Sequence, residues 1–143
     1  MSISIFIQNA LPAGLLAECL KHYSTDVAAG AYSCFMGQVR ADKKDDREVQ
    51  AIEYTAYVEM ADVKMQEIAT EVKEQYKLNA LEVRHSLGTV MAGGICLFVL
   101  AIAGHRKASM EACNLLVERI KSELPVWGRE IFADEGYQWK VNK

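Results

Sequence analysis

The chain has 143 residues, 51% of them hydrophobic and 24% charged, with a formal net charge of −3. That length suffices for one domain with a real core, expected to span the whole of residues 1–143. The mild negative charge gives no overall drive toward nucleic acid or an anionic membrane, so any anion site must be a local basic cluster.

Ser2 to Gln8 alternates polar and apolar residues and predicts a strand; it also lacks the basic n-region of a signal peptide, which makes a cytoplasmic location the expectation. Pro12 opens a helix with Leu15, Leu16, Cys19 and Leu20 on one face. Asp26 to Gly30 reads as a turn, and Ala31 to Val39 as a strand whose Gly37 marks a bulge or a close approach. Arg40 closes that strand. Arg40 to Glu48 is dense in charge of both signs and predicts a solvated hairpin loop.

Val49 to Tyr57 resumes a strand pattern. From Val58 the period changes to that of an amphipathic helix with Met60, Val63, Ile68, Val72 and Tyr76 inward, and with Met60 and Met65 in the core. Leu81 to Leu87 predicts a strand and Gly88 to Gly94 a connection. Ile95 to Ala103, almost wholly apolar, predicts a strand buried on both faces, and it is too short to cross a bilayer. A helix from Lys107 follows, with a stripe of Met110, Cys113, Val117, Ile120 and Leu124, stopped by Pro125. Tyr137 to Val141 predicts a last short strand. The resulting order, β-α-β-β-α-β-β-α-β, predicts an α+β sandwich of helices on a mostly antiparallel sheet.

The four cysteines, Cys19, Cys34, Cys96 and Cys113, are scattered through apolar stretches and read as small buried hydrophobes. The three histidines show no metal-ligand spacing, and no Walker loop, dinucleotide fingerprint or Ser-His-Asp signal exists. What remains is a set of basic groups. His105 and Arg106 follow Gly104 where a strand ends and a helix begins, and free N–H groups and the helix dipole favour an anion there. Either Arg106 and Lys107 hold a phosphate or they are simply solvated. Lys121 is either a partly desolvated acid, base or nucleophile, or a surface lysine near a helix C-terminus. Trp127 reads as core or pocket wall, and Glu130 by itself as a surface carboxylate.

Fifteen steps of helix separate Arg106 from Lys121, roughly 22 Å. Both cannot touch one small reacting centre within one chain. If they serve one site, either the substrate is long or two copies of the chain pair, each site taking the basic triplet from one subunit and Lys121 from the other.

Several segments, in order, resemble the family of large, catalytic subunits of molybdopterin synthase (MoaE). They are Gly30-Ala31 with Phe35-x-Gly37-x-Val39-Arg40, Tyr54-x-x-Tyr57-x-x-Met60-Ala61, His85-x-x-Gly88 and Gly104-His105-Arg106-Lys107. Glu118-Arg119-Ile120-Lys121 through Pro125-x-Trp127-x-x-Glu130, and a closing Trp139, complete the set. The resemblance implies an α/β hammerhead fold and a homodimer, with a small ubiquitin-like subunit at each end to make a heterotetramer. The small subunit's Gly-Gly tail, carrying a C-terminal thiocarboxylate, would thread into a pocket and supply sulfur to cyclic pyranopterin monophosphate, giving molybdopterin without a metal or other cofactor. By the same likeness Lys121 is the central catalytic lysine. Arg40, His105 and Arg106 form the substrate anion pocket, and Glu130 is a further pocket residue. The chain departs from the family's commonest pattern at Gly128, where a second pocket lysine is usual, at Ser86 (usually Arg) and at Thr55 (often Glu). A catalytically impaired homologue that binds the small subunit as a regulatory module is the alternative implied by Gly128.

Overall fold

The computed structural model describes residues 3–134 and 136–140. Its elements are β1 (Phe6–Gln8), α1 (Leu15–Tyr23), β2 (Ala31–Gln38), β3 (Lys43–Lys44), β4 (Arg47–Ala56), α2 (Val58–Tyr76), β5 (Ala80–Met91), β6 (Ile95–Ala103), α3 (Arg106–Glu123), β7 (Val126–Phe132) and β8 (Tyr137–Trp139). The strands run in the order β2-β6-β5-β4-β7-β8, with β1 parallel to β5 and β3 folded back on β4. Every pairing other than β1–β5 is antiparallel. Three helices on a mostly antiparallel sheet give the expected α+β architecture.

β6 forms the core because its two faces are both apolar and both covered. Leu97, Val99, Ala101 and Ala103 face α2 and α3, meeting Met65, Ile68 and Val72 of the first and Ala112, Cys113, Leu116 and Ile120 of the second. Phe98, Leu100 and Ile102 face the other way, against Leu11 and Cys19 beneath α1. Ala101 and Ala103 are small, so α3 can approach closely. The fully buried Ser109 hydroxyl locks that approach, donating to the Ala101 carbonyl at 2.9 Å and lying 2.7 Å from the Ser33 hydroxyl, which donates to it in turn.

β5 ties the two halves of the sheet together. Ala80–His85 pairs with β6, His85–Leu87 with β1, and Gly88–Met91 with β4. The sequence reading ended this strand at Leu87 and made Gly88 onward a connection. The glycine is instead a kink inside the strand, at φ +77°, where a Cβ would collide with the Gln8 side chain.

Other boundaries shift for equally local reasons. β1 is only three residues long, because the Ile5 N–H is taken by the Asp62 carboxylate at 3.0 Å rather than by a strand. Pro12 precedes α1 by three residues, and Leu20 is exposed. Met60, Val63 and Met110 lie outside the core stripes, each 62% exposed, while Met65, Ser109 and Leu116 are buried. β7 was not foreseen at all, since Arg129 and Glu130 interrupt its apolar pattern. Val141 lies outside the described residues. Three cysteines are buried as expected, but Cys34 is exposed; all four are free thiols. Gly37 does mark a register shift, between Gly37 and Gln38.

Gly30 sets where α3 begins. Its N–H donates to the Ala103 carbonyl at 2.9 Å, and a Cβ there would overlap the Gly104 carbonyl oxygen. Gly30→Ala should therefore destabilise the protein by about 1–3 kcal/mol, read as a lower midpoint in thermal or urea unfolding. An unchanged midpoint would contradict this close backbone approach.

Candidate active site

The two ends of α3 present basic groups in different surroundings. At the start, His105 is extended (φ −134°, ψ 153°) and occupies the N-cap without a side-chain cap bond. His105, Arg106 and Lys107 are all exposed, and the first turn contains no acidic residue. Cations at the positive end of a helix are electrostatically misplaced unless an anion joins them. Leu124 ends the helix in extended geometry ahead of Pro125, at φ −78° and ψ 136°.

Lys121, in the last turn, lines a cavity of about 400 Å³. Its lining comes from strands on both sides of β5 and from α3. The end of β2 contributes Phe35 to Gln38, followed by Arg40; β4 gives Tyr54, β5 His85, and β6 Cys96 and Leu97. Val126, Trp127 and Gly128 of β7 and Lys140 after β8 close it. Trp127 is thus a cavity wall, stacked edge-on against Tyr57 at 5.0 Å.

The charges in this cavity are almost all of one sign. Arg40, Lys121 and Lys140 line it, and no described lining residue is a carboxylate. Arg40 is held from outside by Asp42, Nε to Oδ1 at 3.3 Å. Partial burial pushes the Lys121 pKa down, and the Lys140 charge adds to that; Cys96 and Glu118 oppose it. His85 is buried, and loss of hydration lowers its pKa, with Lys121 and Lys140 contributing in the same direction. Its Nδ1 lies 2.8 Å from the Ser86 carbonyl oxygen. A carbonyl can only accept, so Nδ1 carries the proton and the neutral ring keeps a lone pair on Nε2. Tyr54 packs edge-on against this ring at 5.1 Å, and burial raises its phenol pKa, keeping it protonated.

Of the residues singled out by sequence, Arg40 and Lys121 come together in this cavity. His105 and Arg106 stand at the other end of α3, outside it. Glu130 is not a surface carboxylate. It is buried in β7 and accepts from the Lys44 ammonium at 2.6 Å, and it is not among the cavity-lining residues. Lys44 therefore leaves the loop expected to be solvated and reaches into the fold. Sequence reasoning used His85 and Tyr54 only as parts of the family resemblance, without a role in the site, and gave no role to Lys140. His85 carried one signal: it stands two residues after Val83 on a strand, on the buried alternation. Lys140 carried none.

A family model described as MoaE protein matches residues 13–123. The chain belongs to the MoaE family. The molybdopterin synthase catalytic subunit of Oryza sativa subsp. indica is 40% identical over 118 residues, 82% of this chain and 60% of that protein. This MoaE chain therefore spans about 60% of the length of such curated relatives. Among solved structures, the molybdopterin synthase of Staphylococcus aureus superposes with a TM-score of 0.85 at 26% identity, covering 99% of both chains. A chain from the complex of subunits 1 and 2 of the molybdopterin-converting factor of Helicobacter pylori shares the fold, with a TM-score of 0.80 at 22% identity over 96% of this chain and 90% of that one. No helix among the described residues is long and apolar enough to cross a membrane.

The lowered pKa of His85 has a consequence for stability. The unfolded chain takes up this proton near the ordinary value of 6.5, whereas the folded chain resists it. His85 thus contributes stability that is fully present above pH 6.5 and is lost as pH falls from there toward the lower folded-state value. Urea unfolding at about pH 7.5 and about pH 5.5 should show a smaller acid-side loss for His85→Gln than for the unaltered protein. Equal losses would contradict a buried neutral imidazole.

Proposed function

We propose that this MoaE-family chain is the large subunit of a molybdopterin synthase and a sulfurtransferase. It would move sulfur from the C-terminal thiocarboxylate of a small ubiquitin-like subunit to cyclic pyranopterin monophosphate. The observation that carries this reading is the partly desolvated Lys121 ammonium in a cationic cavity of a chain belonging to this family.

The chemistry asks for such a group. Delivering sulfur from a thiocarboxylate requires a carbon–sulfur bond to form on the acceptor as a carbon–oxygen bond there breaks and its oxygen departs, and then the acyl–sulfur bond to be cleaved by water, leaving a carboxylate on the tail. Negative charge develops on the acyl oxygen as water adds to the carbonyl, before the acyl–sulfur bond breaks. An ammonium fixed beside it lowers the barrier more than one free in water. A lysine whose pKa is already lowered also gives and takes a proton more readily. The neutral His85 ring, with Nε2 unprotonated, is a second proton acceptor lining the same cavity. Sulfur arrives on the partner's tail, so this scheme needs no resident cofactor, and free thiols throughout suit a cytoplasmic setting.

A homodimer is part of the proposal. Tyr32, Cys34 and Met36 lie on one side of β2, the sheet's edge strand, and all three are exposed. They share the face that α1 covers farther in, over Leu100 and Ile102. A second copy on this strip would shield it and approach the cavity, which Met36 also lines. Tyr32→Asp should convert the dimer to monomer in analytical ultracentrifugation; an unaltered dimer would exclude β2 as the interface.

Mixing the protein with thiocarboxylated small subunit and cyclic pyranopterin monophosphate should yield molybdopterin. Lys121→Ala should cut turnover about a hundredfold to a thousandfold while leaving the dimer intact. Near-normal turnover would remove Lys121 from the chemistry. Lys121→Ala and Arg106→Ala chains, inactive apart, should regain about a quarter of full activity when reassembled together, because one composite site in four is then native. No recovery would place each site within one chain. Gly128, which brings no side chain to the cavity, favours a second reading as a small-subunit-binding module. A tight complex with no product would establish that reading over the first.

A further inference from the structure

Lys140 reaches the cavity by a route unlike those of Arg40 and Lys121. β8 pairs with β7, and the Lys140 N–H donates to the Gly128 carbonyl at 2.8 Å. Lys140 is thus held by its backbone beside Gly128, and both line the cavity. Gly128 cannot easily be filled: a Cβ there would stand 2.9 Å from Ile52 Cγ2 and 3.0 Å from the Tyr54 ring. Tyr54, Gly128 and Lys140 line the same cavity.

Three cations from three separate elements line a cavity without a described carboxylate among its lining residues. Lys140 is close enough to Lys121 and His85 to disfavour a positive charge on both. A cavity lined by several cations presents a positive potential that favours an anionic ligand. We propose that Lys140 is the third binding cation of the cavity, holding with Arg40 and Lys121 an oxyanion, either a phosphate or a terminal carboxylate. This deepens the sulfur-transfer reading and rests on it only for the source of the anion: substrate phosphate or the partner's tail.

The test is direct binding by the intact chain, independent of turnover. Inorganic phosphate and a short peptide ending in Gly-Gly with a free carboxylate are titrated separately, by calorimetry or NMR. Lys140→Ala should weaken one of them about tenfold, the scale of one charge-assisted hydrogen bond. Lys140→Arg should recover most of the loss, and Lys21→Ala, which removes the same charge from the exposed side of α1, should leave affinity unchanged. A loss confined to phosphate points to the substrate and one confined to the peptide to the tail; either supports the proposal. Unchanged binding of both probes by Lys140→Ala, or an equal loss in Lys21→Ala, overturns it. If Lys140→Ala unfolds at a lower midpoint, Lys140→Gln keeps the length of the stem and reports the loss of charge. Should the wild-type chain bind these probes through Lys140 yet make no molybdopterin, the sulfur-transfer reading fails and this one stands.

Discussion

The structure depends on one strand being shared. β5 is hydrogen-bonded to β6 in its first half and to β4 in its second, and the exchange of partners happens over His85 to Gly88. A straight strand would keep one neighbour along its length and leave a continuous, closed sheet. The left-handed Gly88 lets β5 turn from one set of neighbours to the other. The cavity draws its lining from both sets, Cys96 and Leu97 of β6 and Tyr54 of β4, and from α3. His85 is the last residue of β5 paired with β6, and Tyr54 sits opposite both Gly88 and Gly128. The site thus depends on how the sheet is joined, with walls carried by paired strands and by α3.

That origin explains the electrostatics. A cavity between strands is walled by apolar side chains such as Phe35, Leu97, Ile120 and Leu124, which hydrate nothing. Charges entering at its rim lose part of their water, and desolvation is the leading cause of the lowered pKa of both Lys121 and His85. The carboxylates that neutralise neighbouring cations are spent elsewhere. Glu130 holds Lys44, Glu53 holds Arg129 at 2.7 Å, and Asp42 holds Arg40 from outside. The cations that line the cavity make an anion the favoured ligand there.

What could be read from sequence follows the same division. β6 was legible because burial on both faces leaves nine residues with nearly no polar alternative. α3 was legible because Gly104 and Pro125 bracket a helical period. Met60, Val63 and Met110 were misplaced because apolar residues outside the packed face look the same in a periodicity as those within it. β7 was invisible because its charged residues, Arg129 and Glu130, are satisfied by partners 76 and 86 positions away. Lys121 and Arg40 carried local signals, a helix end and a strand end. His85 carried only the buried alternation of its strand, and Lys140 reaches the cavity through the β7–β8 pairing, which no local period records.

The remaining question is how the basic start of α3 relates to a cavity at its far end. β2 and α3 run side by side: Ala31 pairs with Ala103 just before α3 begins, and Gln38 reaches the cavity that Lys121 lines. Seven strand steps from Ala31 to Gln38 span about 24 Å, close to the roughly 22 Å between Arg106 and Lys121 along the helix. A two-fold axis through the middle of β2, near Cys34, would set the start of one strand beside the end of its partner. The same operation carries His105 and Arg106 of one copy toward the other's cavity. The matched lengths make this a geometric consequence of pairing along β2. In such a pair the cations at the helix start and those lining the cavity would be brought toward one another.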